Sequence, residues 1–152
     1  MTDRVGTRPS PASLLLVAVQ MGCLAYLLYS GPLWPAQPGA TTLVVLGLLL
    51  GLWALVSLSS ARLNVFPEPR SGSRLVQHGP YRWIRHPMYT SVLLCALGWL
   101  SGHFTPGRAA TFFILLVDLL LKIRREEALL ARQFPEYRRY QQRTRRLVPG
   151  VY

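Results

Sequence analysis

Two clusters of polar side chains interrupt an otherwise apolar chain, and both contain residue types that can bind a charged ligand. The first surrounds His86, which precedes Pro87, a residue favoured at the first position of a helix. A histidine there lies beside free backbone N–H groups and the positive end of a helix dipole, a setting that favours a carboxylate or phosphate. The second cluster is the pair Glu126 and Glu127, whose carboxylates suit an amine, a pair of ribose hydroxyls or a cation.

Each cluster also has a purely structural interpretation. His86 could cap a helix at the level of the lipid headgroups, and the two glutamates could pair with Lys122, Arg124 and Arg125 at helical spacing. The tyrosines near both clusters could stack on a base or hold ligand oxygens, or they could anchor the chain at a membrane interface. Asp118 lies inside an apolar run and is a functional candidate by default, although a pair with Lys122 explains it equally well.

Four apolar segments must position these clusters. Residues 13–30 and 39–61 carry no charge and match the roughly 20 residues that a helix needs to cross a bilayer. Residues 87–103 and 106–123 are shorter apolar runs that we include as spans. A soluble helix bundle would show a polar stripe, which residues 43–58 lack. We therefore predict an all-α, polytopic membrane protein with about four transmembrane helices.

The segments outside these spans complete a single domain covering residues 1–152. Residues 62–86 hold prolines and glycines that no long helix can cross, and they are predicted to form a cytoplasmic loop. No proline or glycine interrupts residues 108–134, so the fourth helix should extend beyond the bilayer until Pro135. Residues 124–146 are predicted to form cytoplasmic helices, the last of them basic, amphipathic and lying on the membrane surface.

The net charge of +11 is distributed in a way that favours a membrane over nucleic acid as the partner. Positive residues alternate sides with the apolar segments, as expected when cytoplasmic loops are enriched in Arg and Lys. Both termini should then face the cytoplasm. The excess of arginine over lysine, with abundant Ala, Leu, Gly and Pro, is typical of a GC-rich bacterial genome, so we expect the membrane to be a bacterial inner membrane. The arginines expected to contact lipid headgroups are Arg62, Arg138, Arg139, Arg143, Arg145 and Arg146.

Other motifs contribute less. The cysteines Cys23 and Cys95 lie in apolar segments and are expected to be buried structural residues, so no metal site is predicted. GxxxG pairs at 47–51 and 98–102 permit close helix packing within one chain or between two, which leaves monomer and homodimer undecided. The absence of GxGxxG, Walker, HExxH and GxSxG motifs argues against a soluble-type Rossmann nucleotide site.

The polar clusters form an ordered set of motifs over roughly residues 73–150. In chain order they are Gly79-Pro80-Tyr81, Arg85-His86-Pro87-Met88-Tyr89, Glu126-Glu127-x-x-Leu130, Phe134-Pro135-Glu136-Tyr137, Tyr140 and Arg146-Leu147-Val148-Pro149. This order resembles the isoprenylcysteine carboxyl methyltransferase and phospholipid N-methyltransferase superfamily. Its members are integral-membrane enzymes that use S-adenosylmethionine as the methyl donor.

The resemblance implies that S-adenosylmethionine binds at the cytoplasmic face, in a cofactor site formed by the loop before the third helix and the C-terminal helix. The residues expected to bind it are Arg74, Leu75, Val76, Tyr81, His86, Pro87, Tyr89, Glu126, Glu127 and Tyr137. The expected catalytic residues are Glu126, Lys122 and Arg85. Lys122 stands where an arginine usually contacts the substrate in the carboxyl-methylating members.

The chemistry implied by the resemblance is an in-line displacement at a sulfonium. Holding the nucleophile collinear with the methyl carbon at about 3–3.5 Å can supply much of the rate. The sequence therefore predicts a methyltransferase that acts on a small or lipophilic acceptor carrying a carboxylate, thiol or amine. Two alternatives stay open. One is a membrane reductase that uses NADPH, like the sterol reductases, and the other is a non-enzymatic lipid-binding membrane protein.

Overall fold

The structure is a computed structural model that describes residues 10–59 and 75–150. These residues form five α-helices and a short 3-10 helix, Gly79–Arg82. The α-helices are α1 (Pro11–Tyr29), α2 (Pro38–Ser59), α3 (Pro87–Gly102), α4 (Pro106–Gln133) and α5 (Tyr137–Arg143). Within the described ranges, β pairing is limited to one isolated parallel β-bridge, between Ile84 and Arg145.

A proline opens each of the four long helices. Its ring presets the backbone angle of the first helical residue, and its missing N–H is one that the helix leaves unbonded in any case. Side-chain caps reinforce two of these starts. The hydroxyl of Ser10 accepts a hydrogen bond from the Ser13 amide at 3.2 Å, and that of Thr105 accepts one from the Arg108 amide at 3.2 Å.

The C-terminal half differs from the prediction in one respect. As expected, α4 is uninterrupted, and its 28 residues reach about 42 Å, well beyond one bilayer core. However, the following helix is only seven residues long. It is not simply a surface helix, because Tyr137 and Tyr140 on one of its faces are buried. Residues 144–147 leave the helix and run beside the approach to α3.

Two helix pairs build the bundle, α2 with α3 and α1 with α4. Both GxxxG pairs serve the α2–α3 contact. A Cβ atom added to Gly47 would lie 2.9 Å from the carbonyl oxygen of Ser91, and one added to Gly98 would lie 2.7 Å from that of Ala40. The Ser91 hydroxyl also donates to the Gly47 carbonyl at 2.7 Å. Close packing within one chain therefore accounts for both glycine pairs.

The α1–α4 pair is joined at its far end by a buried arginine. Arg108, in the first turn of α4, donates to the Leu27 carbonyl near the end of α1 at 2.9 Å. It also donates to the Ser30 hydroxyl at 2.7 Å and to the Trp99 carbonyl near the end of α3 at 2.8 Å. One guanidinium thus bonds to the terminal turns of two helices, where the helix dipole favours a positive charge.

The four long helices alternate in direction, so both polar clusters lie at one end of the bundle. We call this the charged end. At this end the Arg125 side chain donates to the Ser10 hydroxyl at 2.9 Å, which brings the start of α1 beside α4. The prediction that both cysteines are buried is confirmed, since Cys23 and Cys95 lie in the interior of the protein.

Among the described residues, α1 and α2 are long and apolar enough to cross a membrane. Most of their surface is exposed rather than buried in the protein, unlike that of a core helix in a soluble protein. The helix α3 has 16 residues, fewer than the roughly 17–25 of an ordinary span. The chain is thus helical and suited to a membrane, and the spanning of α3 and α4 stays a prediction.

Candidate functional site

His86 occupies the N-cap position of α3, but its side chain makes no capping hydrogen bond. The imidazole instead lies between two carboxylates of α4. Its Nδ1 is 3.3 Å from Oε2 of Glu126, and its Nε2 is 3.6 Å from Oε1 of Glu127. The alternative of a simple capping histidine is therefore wrong, and His86 belongs to a buried charge cluster.

Tyr89 completes the contact with the first glutamate. It follows His86 by one helical turn, and its ring stacks on the imidazole with centroids 5.6 Å apart and planes inclined by 15°. The Tyr89 hydroxyl donates to Oε1 of Glu126 at 2.7 Å. Glu126 is thus held from two directions, while its side chain stays 20% exposed against 6% for Glu127. Glu126 is the more accessible of the two carboxylates.

Glu127 is held by two arginines from distant parts of the chain. Arg85 donates through Nε to its Oε1 at 2.7 Å, and Arg146 donates through Nε to its Oε2 at 3.0 Å. The ion pairs of both glutamates therefore run to the start of α3 and to the C-terminal segment. Within residues 10–59 and 75–150 no ion pair joins either glutamate to Arg124 or Arg125, as the helical-spacing alternative would require.

A main-chain connection fastens the C-terminal segment to the approach of α3. The amide of Arg85 donates to the Arg145 carbonyl at 2.7 Å, and that of His86 donates to the Arg146 carbonyl at 3.0 Å. In return, the Arg145 amide donates to the Trp83 carbonyl at 3.0 Å. We call this pairing of residues 83–86 with 144–147 the clasp. It fixes the backbone on which His86 and the two arginines are carried.

Side chains strengthen the clasp on both flanks. Arg85 donates through one terminal nitrogen to the Thr144 carbonyl at 2.5 Å, in addition to its bond with Glu127. The Tyr140 hydroxyl donates to the carbonyl of Tyr81 at 2.7 Å, which links α5 to the 3-10 helix. Arg85, predicted as catalytic, therefore lies in the cluster with much of its hydrogen-bonding capacity engaged by the protein itself.

The charges in the cluster move two pKa values in opposite directions. Burial alone would lower the pKa of His86, but the neighbouring carboxylates of Glu126 and Glu127 outweigh it, so this pKa is raised. Burial alone would raise the pKa of Glu127, but His86, Arg85 and Arg146 outweigh it and lower this pKa to about 2. Both shifts favour the charged forms, an ionised Glu127 and a protonated His86.

Two buried polar atoms in this region have no hydrogen-bond partner among the described residues. They are Nε2 of His86 and the hydroxyl oxygen of Tyr137. Burial is the main cause of the raised pKa of Tyr137, so its hydroxyl keeps its proton at neutral pH. A buried donor without a partner is costly, and it is the kind of group that a bound ligand can satisfy.

The other predicted residues lie at varied distances from this cluster. Tyr81 and Pro87 are buried, and Leu75 and Val76 are half-buried in the stretch before the 3-10 helix. Arg74 lies outside the described residues. The ammonium of Lys122 contacts the side-chain oxygen of Gln20 on α1 and lies 3.8 Å from Asp118.

The structure also adds residues that the sequence interpretation misplaced. Arg146 was expected at the headgroups, but it binds Glu127. Gln20 is a polar residue in the apolar run that forms α1, and nothing in its own helix indicates a partner in α4. The remaining described arginines of that set, Arg138, Arg139, Arg143 and Arg145, are exposed.

Comparison with known proteins assigns the chain to a family. The model of the isoprenylcysteine carboxyl methyltransferase family matches residues 40–132, more than half of the chain. The chain belongs to this family. The match contains His86, Tyr89 and both glutamates, so the residues that meet in space also lie inside the family region. Membership in the isoprenylcysteine carboxyl methyltransferase family confirms the resemblance seen in the sequence.

A curated relative adds a second comparison. The cobalt-zinc-cadmium resistance protein CzcN of Cupriavidus metallidurans is 33% identical over 131 residues, which are 84% of this chain and 59% of that protein. The chain therefore spans about 59% of the length of this relative. Among residues 10–59 and 75–150, no group of three or more His, Cys, Asp or Glu side chains is placed to hold a metal ion.

Proposed function

We propose that the protein is an integral-membrane methyltransferase that uses S-adenosylmethionine and acts on a small or lipophilic acceptor. The observation that carries the proposal is the position of His86 between Glu126 and Glu127, with the Tyr89 hydroxyl bonded to Glu126. Membership in the isoprenylcysteine carboxyl methyltransferase family supports methyl transfer as the reaction class.

The residues present suit the chemistry of S-adenosylmethionine. This molecule carries a sulfonium, an ammonium and a carboxylate, together with two ribose hydroxyls and an adenine. Glu126, the more exposed carboxylate, can accept hydrogen bonds from the hydroxyls or the ammonium. Nε2 of His86 and the hydroxyl of Tyr137, which make no hydrogen bond within the described residues, can donate one to a carboxylate or an adenine nitrogen.

The contribution of the chain is mainly to bind and orient. When bound, S-adenosylmethionine supplies an electrophilic methyl group on a sulfonium. Tyr89 fixes the orientation of Glu126, and Arg85 fixes Glu127 and the clasp, so the donor groups are held before the ligand arrives. We assign Arg85 to positioning for this reason. The exposed apolar surfaces of α1 and α2 suit a bilayer, the environment from which a lipophilic acceptor would come.

We further propose that the charged end faces the cytoplasm of a bacterial inner membrane. The exposed arginines at this end include Arg124, Arg138 and Arg139, whereas Arg108 at the opposite end is fully buried by its helix-end contacts. Such an asymmetry is what orients a membrane protein with its positive loops inside. Labelling of a cysteine introduced at Arg138 in intact cells, compared with lysed cells, tests this orientation.

Calorimetric titration of the detergent-purified protein with S-adenosylhomocysteine tests the cofactor assignment. We expect binding in the micromolar range, weakened about tenfold or more in Glu126→Gln and His86→Gln, because each change removes a charged hydrogen-bonding group. Glu136→Gln, at an exposed carboxylate, is the matched control. NADPH is titrated in parallel. Binding of NADPH alone would support the reductase, and binding of neither by folded protein would support the lipid-binding alternative.

A further inference from the structure

A second polar cluster lies deeper in the bundle, where α1 packs against α4. It consists of Gln20, Asp118 and Lys122, and we call it the inner cluster. Asp118 is 4% exposed and Lys122 is 3% exposed. Along α4, Lys122 precedes Glu126 by about 6 Å and Asp118 precedes it by about 12 Å. The inner cluster thus borders the proposed cofactor site on the side of the apolar core.

Asp118 is incompletely satisfied in this setting. Neither of its carboxylate oxygens has a hydrogen-bond partner among the described residues. The ammonium of Lys122, at 3.8 Å, neutralises its charge but is too distant to donate a hydrogen bond. A carboxylate in an apolar bundle is costly unless its lone pairs are bonded. Asp118 therefore presents a built acceptor for an external donor.

The same geometry disfavours a ligand with a carboxylate head. Lys122 is the cation nearest to this position, and it is already engaged by Gln20 and paired with Asp118. A carboxylate entering the inner cluster would place a second negative charge beside Asp118 with one cation shared between them, and such like-charge pairs are strongly disfavoured. An amine, hydroxyl or thiol head would instead donate to the unbonded oxygens.

We propose that the inner cluster recognises the methyl acceptor, and that this acceptor is lipophilic and carries a hydrogen-bond-donating head rather than a carboxylate. Asp118 determines this specificity, while Lys122, whose ammonium is bonded to Gln20, forms an ion pair with it. The apolar residues around the cluster, including Cys23 and Leu119, suit the hydrocarbon part of such a molecule. The inference rests on the proposed function, because an acceptor is required only if the protein transfers methyl groups.

A series of probes with one chain length isolates the head group. Dodecylamine, dodecanol, dodecanethiol and dodecanoate are titrated into the full-length protein in nanodiscs saturated with S-adenosylhomocysteine, and binding is followed by tryptophan fluorescence. We expect at least one donor probe to bind about tenfold or more tightly than dodecanoate, the difference made by a hydrogen bond to a charged group. Equal or tighter binding of dodecanoate would overturn the inference, as would binding of none.

The variant Asp118→Asn separates recognition from folding. The asparagine amide keeps the shape of the carboxylate but can also donate hydrogen bonds. The tighter binding of the amine, hydroxyl or thiol probes over dodecanoate should therefore shrink or reverse. An unchanged preference in this variant contradicts the role of Asp118. Ser101→Ala, at an exposed hydroxyl near the opposite end, is the matched control. If Asp118→Asn fails to fold, the ranking of probes on the wild-type protein still decides the question.

Affinity for S-adenosylhomocysteine keeps this test distinct from that of the proposed function. If the protein binds S-adenosylhomocysteine but prefers dodecanoate among the probes, only the acceptor assignment is overturned. Loss of S-adenosylhomocysteine binding in the wild-type protein removes the methyltransferase proposal itself, and the acceptor inference with it.

Discussion

Arg85 and Glu127 are separated by 42 residues in the chain, yet their side chains form a buried ion pair with 2.7 Å between Nε and Oε1. The pair connects the approach to α3 with the charged stretch of α4. Because Arg85 also bonds to Thr144, the same contact holds the C-terminal segment in place. The approach to α3, the charged stretch of α4 and the C-terminal segment are therefore held together through Arg85.

Removing Arg85 should destabilise this unit. We expect Arg85→Met to lower the melting temperature by several degrees, since breaking one partner of a buried pair costs about 3–5 kcal/mol. The matched control is Arg82→Met, which removes an exposed arginine from the adjacent 3-10 helix. Differential scanning fluorimetry in detergent measures both. Equal melting temperatures for the two variants would show that the pair contributes little.

Tyr89→Phe should weaken the cofactor site without unfolding it. The change deletes only the hydroxyl that orients Glu126, so we expect S-adenosylhomocysteine to bind several-fold more weakly, as for the loss of one hydrogen bond to a charged group. The matched control is Tyr29→Phe, because Tyr29 is 96% exposed at the end of α1. Calorimetry that finds the same affinity for both variants would contradict an orienting role.

Stability should depend on pH through His86. Because the pKa of His86 is raised in the folded protein, its contribution to the free energy of unfolding is fully present below pH 6.5, the pKa in the unfolded chain. This contribution is lost as the pH rises through the pKa in the folded protein. The melting-temperature difference between wild type and His86→Gln should therefore be largest below pH 6.5 and shrink as the pH rises above this value. A difference that stays constant across this range would argue against a protonated histidine in the cluster.

Glu127 should produce the opposite dependence at acidic pH. Its pKa falls from 4.5 to about 2, so its contribution is present above 4.5 and is lost as pH decreases towards 2. The amount by which Glu127→Gln lowers the melting temperature relative to wild type should accordingly diminish as the pH falls from 4.5 towards 2. Thermal melts over a series of acidic buffers measure this, and a deficit that grows on acidification would contradict the assignment.

The α2–α3 contact should tolerate no added methyl group at Gly47. A Cβ there lies within 3.0 Å of backbone atoms of Ser91 and Cys95, so Gly47→Ala must push the helices apart and lower the melting temperature. Gly22→Ala is the matched control, because nothing lies within 4 Å of its added Cβ. If both alanines behave alike in thermal melts, close approach at Gly47 is not required.

The helices of this protein could be predicted because the signals are local. Prolines mark helix starts, the uncharged runs mark α1 and α2, and the unbroken stretch before Pro135 marks the length of α4. The shortness of α5 could not be predicted in the same way. Its last residues have no local reason to leave a helix, and they do so where their backbone pairs with the approach to α3.

The candidate site was only partly predictable for a related reason. Resemblance to a family indicated His86, Tyr89 and the two glutamates, and the structure brings these four side chains together. The partners of Glu127 and of Lys122 depend on which elements meet in space. The binding of Arg146 and Gln20 to these residues is therefore long-range information that a single sequence does not contain.

Arg108 has a consequence for dissecting the protein into fragments. The family match starts at residue 40, which leaves α1 outside it, yet the Arg108 guanidinium depends on the Leu27 carbonyl and the Ser30 hydroxyl for two of its bonds. A truncated chain starting at α2 would keep the buried Arg108 guanidinium but lose two of the three hydrogen-bond partners described above. The stretch that the family model matches is thus smaller than the stretch that satisfies this buried cation.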